Sequence, residues 1–336
     1  MGLALSIFFG FVPMFLFAAI IYWLDRYEKE PRILLGVVFL WGAVVAAGIA
    51  FVVNTGLGMG VYLFTQSEVA TELTTGSIFA PVVEETLKGL AVLLVFLIFH
   101  REFDSILDGI VYAAICAMGF AATENVYYIY TYGFMEEGMQ GLWFMVFVRV
   151  LLVGWQHPFY TAFIGIGLAT ARLNRNWAVK LGAPLLGWFA AVSLHGLHNT
   201  LSSVLGSAAG RIISLLWDWA GWFVMFLFIL YLIYREQQNV RAHLHEEVAL
   251  GNLNLAQYNT ACSAWSQTGA RLSALTSGSY RDTARFYQLC GELSHKKNQF
   301  VRMGDESGNA QIITALRGEL RTLSERISAK TLSKAA

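Results

Sequence analysis

Ala80 to Phe96 reads APVVEETLKGLAVLLVF, a run apolar enough to cross a bilayer that nevertheless carries Glu84, Glu85 and Lys88. A charged side chain at the bilayer centre costs about 2.5–3.5 kcal/mol on insertion scales, so charges within spans face the bundle interior and pair or work. On a helical wheel Lys88 falls between Glu84 and Glu85, one turn on, where one ammonium can neutralise either carboxylate. The stretch therefore predicts a membrane helix whose charged face looks at other helices.

The rest of the chain supplies them. Of its 336 residues 56% are hydrophobic and 14% charged, with 24 Phe, 14 Tyr and 10 Trp, too apolar for a soluble domain of this length. Segments long enough to cross about 30 Å of hydrocarbon run roughly 3–23, 33–53, 78–99, 105–130, 150–171, 182–205 and 214–234. The expected fold is all-α: a polytopic transmembrane helix bundle of about seven spans over 1–234, followed by a small, helical, soluble C-terminal extension over 235–336. Residues 142–149 read as an interfacial turn or a prolongation of the fifth helix, and Pro158 as a kink in it. The first apolar run lacks a basic n-region and a cleavage site and reads as a retained span.

Loop charges set the expected orientation. Arg26, Lys29 and Arg32, then Arg101, then Arg172, Arg175 and Lys180 occupy one set of connections, whereas 54–77, 131–141 and 206–213 hold only Arg211. By the positive-inside rule the N-terminus lies outside and the tail in the cytoplasm. The tail carries 13 Lys+Arg against 9 Asp+Glu, too small a surplus for a nucleic-acid footprint. Cys116, Cys262 and Cys290 show no spacing for a disulfide framework or a thiolate zinc site.

Few strongly polar residues fall inside the spans. Besides the 84–88 set they are Asp104, Asp108, Glu124 and Asn125, then Arg149 and His157, then His195, His198 and Asn199, with Asp218 near an end of the seventh. Glu84, Glu124, His157 and His195 all come out about 9–15 Å below the outer surface at about 1.5 Å per residue. A lone Glu-Lys pair is often a structural bridge and a lone Asn interhelical glue, but four helices delivering polar groups to one layer argue for a shared site. Asp104, Asp108 and Arg101 lie near the cytoplasmic end and read as a salt bridge or helix cap.

Such a set suits hydrolysis without a covalent intermediate. Glu84 or Glu85 can take a proton from water as it attacks a peptide carbonyl, while histidine and asparagine stabilise the oxyanion. No G-x-S-x-G elbow or HExxH motif is present. No cofactor is required by this scheme, though Glu and His side chains also suit a divalent metal with a water as nucleophile. The same residues also permit an ion-coupled or proton-coupled transporter, which would leave other proteins uncut, or a scaffold whose polar set only specifies packing.

In order, these motifs resemble the PrsW family of intramembrane proteases, in the superfamily of CAAX prenyl proteases and Abi proteins. The resemblance runs from Glu84-Glu85-x-x-Lys88 through Phe103-Asp104, Asp108-Gly109 and Phe120 to Asn125, then His157 in VRVLLVGWQHPFYTAFIGIGLA, to His195-x-x-x-Asn199. It covers about residues 78–200; the tail has no counterpart, and His198 stands where an aromatic residue is expected. It implies a glutamate-dependent endopeptidase acting on membrane-associated proteins, of the kind that cuts an anti-sigma factor in regulated proteolysis. Carried over, Glu84 or Glu85 is the base, with Lys88 holding the other carboxylate. Glu124 and His157 position water or protonate the leaving amine, and His195 with Asn199 forms the oxyanion side, supported by Asn125 and His198.

Overall fold

A computed structural model describes residues 1–204, 208–305 and 308–335. All regular structure among them is helical. The last residue of the expected sixth span and residues 206–207 lie outside the described residues. The chain divides into two compact units, one of Met1–Trp23 with Glu30–Phe228, the other of Leu24–Lys29 with Ile229–Ala336.

The first unit holds α1 (Gly2–Leu24), α2 (Arg32–Leu40) and α3 (Ala47–Thr65), the last two joined through a π-helical turn at Trp41–Ala46. A short α4 (Glu68–Thr74) leads through a second π-turn, Thr75–Phe79, into α5 (Ala80–Ile98). Next come α6 (Ile106–Tyr128), α7 (Met135–Val146), α8 (Gln156–Arg172) and α9 (Trp177–Val204), and α10 (Ala208–Ala249) belongs to both units.

Among the described residues, five helical runs are long and apolar enough to cross a membrane: Gly2–Leu24, Arg32–Thr65, Ile106–Arg172, Trp177–Ser203 and Gly210–Ala249. The 67-residue run at Ile106–Arg172 would measure about 100 Å as one straight helix, some three bilayer cores, so it must fold back. It does so around Glu137 and Gly138, whose backbone is non-helical, and again at the turn before α8. The charged α5 is not among the five, and the expected count of seven is not reached by this measure.

Three expectations are corrected. The loops assigned to 54–77 and 131–141 are mostly helical: α3 runs on to Thr65 and stops only where Gln66 turns left-handed, and α7 fills much of the second. Their glycines and polar residues lowered the apolar signal without breaking the helix. Pro158 does not kink a span. It sits in the first turn of α8, where an N–H has no intrahelical partner to lose. Lastly, α10 continues past the composition change at 234 to Ala249.

At the centre of the first unit, α6 is buried along nearly its whole length. It starts at a capping box, with Ser105 and Asp108 bonding each other's backbone N–H groups, so Asp108 is the helix cap the sequence allowed. Its contact with α8 depends on Gly109 and Gly165, where a Cβ on either residue would run into the other's carbonyl oxygen. Gly165→Ala is therefore expected to lower stability by about 1–3 kcal/mol through forced separation of the helices, seen as a lower melting temperature in detergent.

In the second unit α13 (Tyr280–Met303) packs among the end of α10, α11 (Leu255–Ala261), α12 (Ala264–Thr276) and α14 (Asn309–Ala335). Phe286, Leu289, Cys290 and Leu293 form its core with Val240, Leu244 and Leu320. Tyr27 joins this core, and Lys29 and Gln288 exchange two hydrogen bonds. The short link after α1 is thus held by the extension, which the sequence did not signal.

Candidate active site

The charged face of α5 folds inward as its pattern predicts. Pro81, Glu84, Glu85, Lys88 and Val92 are buried, whereas Thr86 and Leu90 are exposed. Lys88, fully buried, donates to Glu85 Oε1 at 2.7 Å and lies 3.7 Å from Glu84 Oε2. Its ammonium also sits 4.2 Å over the Phe120 ring, a cation–π contact that offsets part of its lost hydration.

The two carboxylates differ in surroundings. Glu85 is 0% exposed and accepts from three directions: Lys88, Thr161 Oγ1 at 2.7 Å from α8, and His195 Nδ1 at 3.0 Å from α9. Glu84 has only Asn54 Nδ2, at 3.4 Å on Oε1, and its buried Oε2 has no hydrogen-bond partner. Glu85 ties helices together; Glu84 keeps an oxygen available.

His195 and His157 each have a definable tautomer. An ionised Glu85 only accepts, so His195 donates through Nδ1 and leaves Nε2 as an acceptor, 3.9 Å from Glu84 Oε2. Lys88 Nζ lies 3.1 Å from His157 Nδ1 and can only donate, so His157 donates through Nε2 to Glu124 Oε2 at 2.7 Å. Arg149 binds the same Glu124 oxygen and reaches Asn125 Oδ1 at 3.1 Å. Tyr160 stacks on the His195 ring at 5.1 Å and fixes its plane.

Glu84, Glu124, His157, His195, His198 and Asn199 line one cavity of about 340 Å³. Residues from α5, α6, α8 and α9 thus meet at one level, as their depths along the sequence require. Glu85, Lys88 and Asn125 do not line it and act behind it. Asn199 spends one amide hydrogen on the Gly76 carbonyl, at 2.8 Å. His198 turns to a second cluster, bonded to Asp218 at 2.7 Å and Ser214 at 2.8 Å, with Gln156 and Tyr160 also on Asp218. Sequence reasoning passed over Thr161, Gln156, Tyr160 and Asn54, which are ordinary polar residues of membrane helices. Arg149 and Asp218 stood out as charges but gave no clue to their partners.

Glu84, His157 and His195 each offer a donor atom, and those atoms lie within 4.8 Å of one another. Two imidazoles, a carboxylate and a buried oxygen without a hydrogen bond are the donor set of a three-ligand divalent site with an open position, provided that His157 frees a ring nitrogen from Lys88 or Glu124.

Residues 30–233 match the family model described as PrsW family intramembrane metalloprotease. The chain belongs to that family. The matched span contains every residue that lines the cavity and ends before the extension. A protease PrsW of Geobacillus kaustophilus (strain HTA426) is 27% identical over 194 residues, 57% of this chain and 77% of the relative. That of Bacillus subtilis (strain 168) is 27% identical over 203 residues, covering 59% and 83%, and that of Clostridioides difficile (strain 630) 38% over 108 residues, covering 32% and 43%. No solved structure matches the chain. These relatives set aside the transporter and scaffold readings: this is an integral membrane protease of the PrsW family.

Proposed function

We propose that the chain is an endopeptidase that hydrolyses peptide bonds of membrane-associated proteins, with Glu84 as the base that activates water. The observation that carries this is Glu84 Oε2, buried at the cavity without a hydrogen bond, while Glu85 is saturated by Lys88, Thr161 and His195. Water attacks the carbonyl carbon as Glu84 takes its proton. The C–N bond breaks as the leaving nitrogen receives a proton from the Glu84 and His195 pair, giving a new carboxylate and a new amine. Glu124, held by Arg149, keeps His157 oriented, and the free amide hydrogen of Asn199 faces the developing oxyanion.

A divalent ion held by Glu84, His157 and His195 would supply Lewis acidity at this cavity. With such an ion on Oε2, the proton from water would go to Oε1, which faces Asn54 at 3.4 Å, and without one to Oε2. The substrate class is a membrane-spanning regulator of the anti-sigma-factor kind, cut in regulated proteolysis. The N-terminus lies outside and the extension in the cytoplasm of a bacterial inner membrane.

The full chain, purified into liposomes with single-span substrates of this kind, is expected to cut within or beside the span. Elemental analysis is expected to find about one divalent ion per chain, lost in His195→Ala. Intact substrates throughout would overturn the protease assignment for this chain, and cleavage by metal-free protein would overturn the metal.

A further inference from the structure

The cavity at Glu84 adjoins a second, larger hollow. About 580 Å³ lies between α3, the Thr75–Phe79 turn, α5 and α6, and its lining shares Gly76, Ala80, Glu84, Glu124 and Tyr128 with the cavity. Beyond them the lining is mostly apolar, with Ala47, Gly48 and Ala50 along α3 and Phe51 and Tyr127 in edge-to-face contact at 5.7 Å. Within this lining, Asn54 Oδ1 and Thr75 Oγ1 are buried polar atoms with no hydrogen-bond partner.

A buried polar atom left unsatisfied costs about 1–3 kcal/mol, and lipid tails cannot satisfy it. A peptide backbone can, if its own groups are free. In a helix every interior N–H and C=O is bonded within the helix, so a helical span offers Asn54 and Thr75 nothing and hides its carbonyls from Glu84. An unwound stretch offers both.

Resting on the protease reading, we propose that this hollow is the substrate groove, and that it receives an unwound segment of a membrane protein. Asn54 and Thr75 bind the substrate backbone beside the bond presented to Glu84. Substrates are thereby selected for spans that lose helix easily around the cut, those interrupted by Gly or Pro.

Gly48 gives a clean test. A Cβ built there meets no other atom within 4 Å, and Gly48 lines the groove without lining the catalytic cavity. Gly48→Leu should fill the groove while leaving the fold and the Glu84 site intact. Gly36→Leu is the control, because a Cβ at Gly36 also meets nothing and Gly36 lines neither hollow.

In liposomes, with a single-span substrate carrying a Gly-Pro pair at the cut and a twin carrying Leu-Leu, the wild type is expected to cut the first at least tenfold faster. Gly48→Leu should raise KM more than tenfold with unchanged melting temperature. Thr75→Val should lower kcat/KM three- to tenfold, and Gly36→Leu should match wild type. Equal cleavage by Gly48→Leu and wild type, or no preference for the Gly-Pro substrate, would overturn the groove while leaving the protease reading standing. A wild type that cuts neither substrate would instead overturn the protease reading, and the groove with it.

Discussion

Glu84→Gln is expected to cut membrane substrates some 10² to 10⁴ times more slowly than wild type, the range by which a positioned general base contributes, while remaining folded. The amide has nearly the shape of the carboxylate, and the substitution touches the oxygen that has no hydrogen bond to lose. Its other oxygen meets only Asn54, at 3.4 Å, an interaction the amide oxygen can keep. Cleavage rates in liposomes, set beside melting temperatures, separate loss of chemistry from loss of fold. Glu85→Gln should behave differently, weakening the bridge to Lys88 and the hold on His195, so its rate and its melting temperature fall together. If Glu84→Gln retained nearly full turnover while Glu85→Gln lost it at normal stability, the assignment of the two carboxylates would be reversed.

Lys88→Met is expected to destabilise the protein by about 3–5 kcal/mol, because removing one partner of a buried ion pair leaves the other charge uncompensated. Both side chains of the pair are 0% exposed. The same ammonium donates to His157 and rests on Phe120, so activity should fall as well. Adding Glu85→Gln to Lys88→Met removes the stranded charge and should recover much of the stability, because losing both ions of a buried pair is often close to neutral. Melting curves of the single and double variants test this; a Lys88→Met protein as stable as wild type would contradict the pairing.

Much of this site was legible in the chain because ionisable residues in lipid are rare and their depth follows from residue counting. Glu84, Glu124, His157 and the pair His195 and Asn199 come from four helices, yet a shared layer was enough to bring them together. What the spacing could not tell was which of Glu84 and Glu85 faces the cavity. The two are adjacent on α5, and the difference is made by Thr161 and His195 on other helices. His198 was undecidable for the same reason, since its partners Asp218 and Ser214 lie on α10. The helical character of 54–77 was masked by its glycines and polar residues, which read as a loop; of these, Asn54 and Thr55 on α3 line the second hollow. Nothing in Leu24–Lys29 marks it as part of the second unit, because only the folded extension shows Tyr27 a core to enter.

The most direct test of the central claim compares newly formed protein N-termini in membranes from cells producing the wild type or Glu84→Gln at matched levels, including under envelope stress. The account predicts peptide ends that appear with the wild type, map to membrane-spanning proteins and vanish with Glu84→Gln. Identical sets of ends from the two would contradict it.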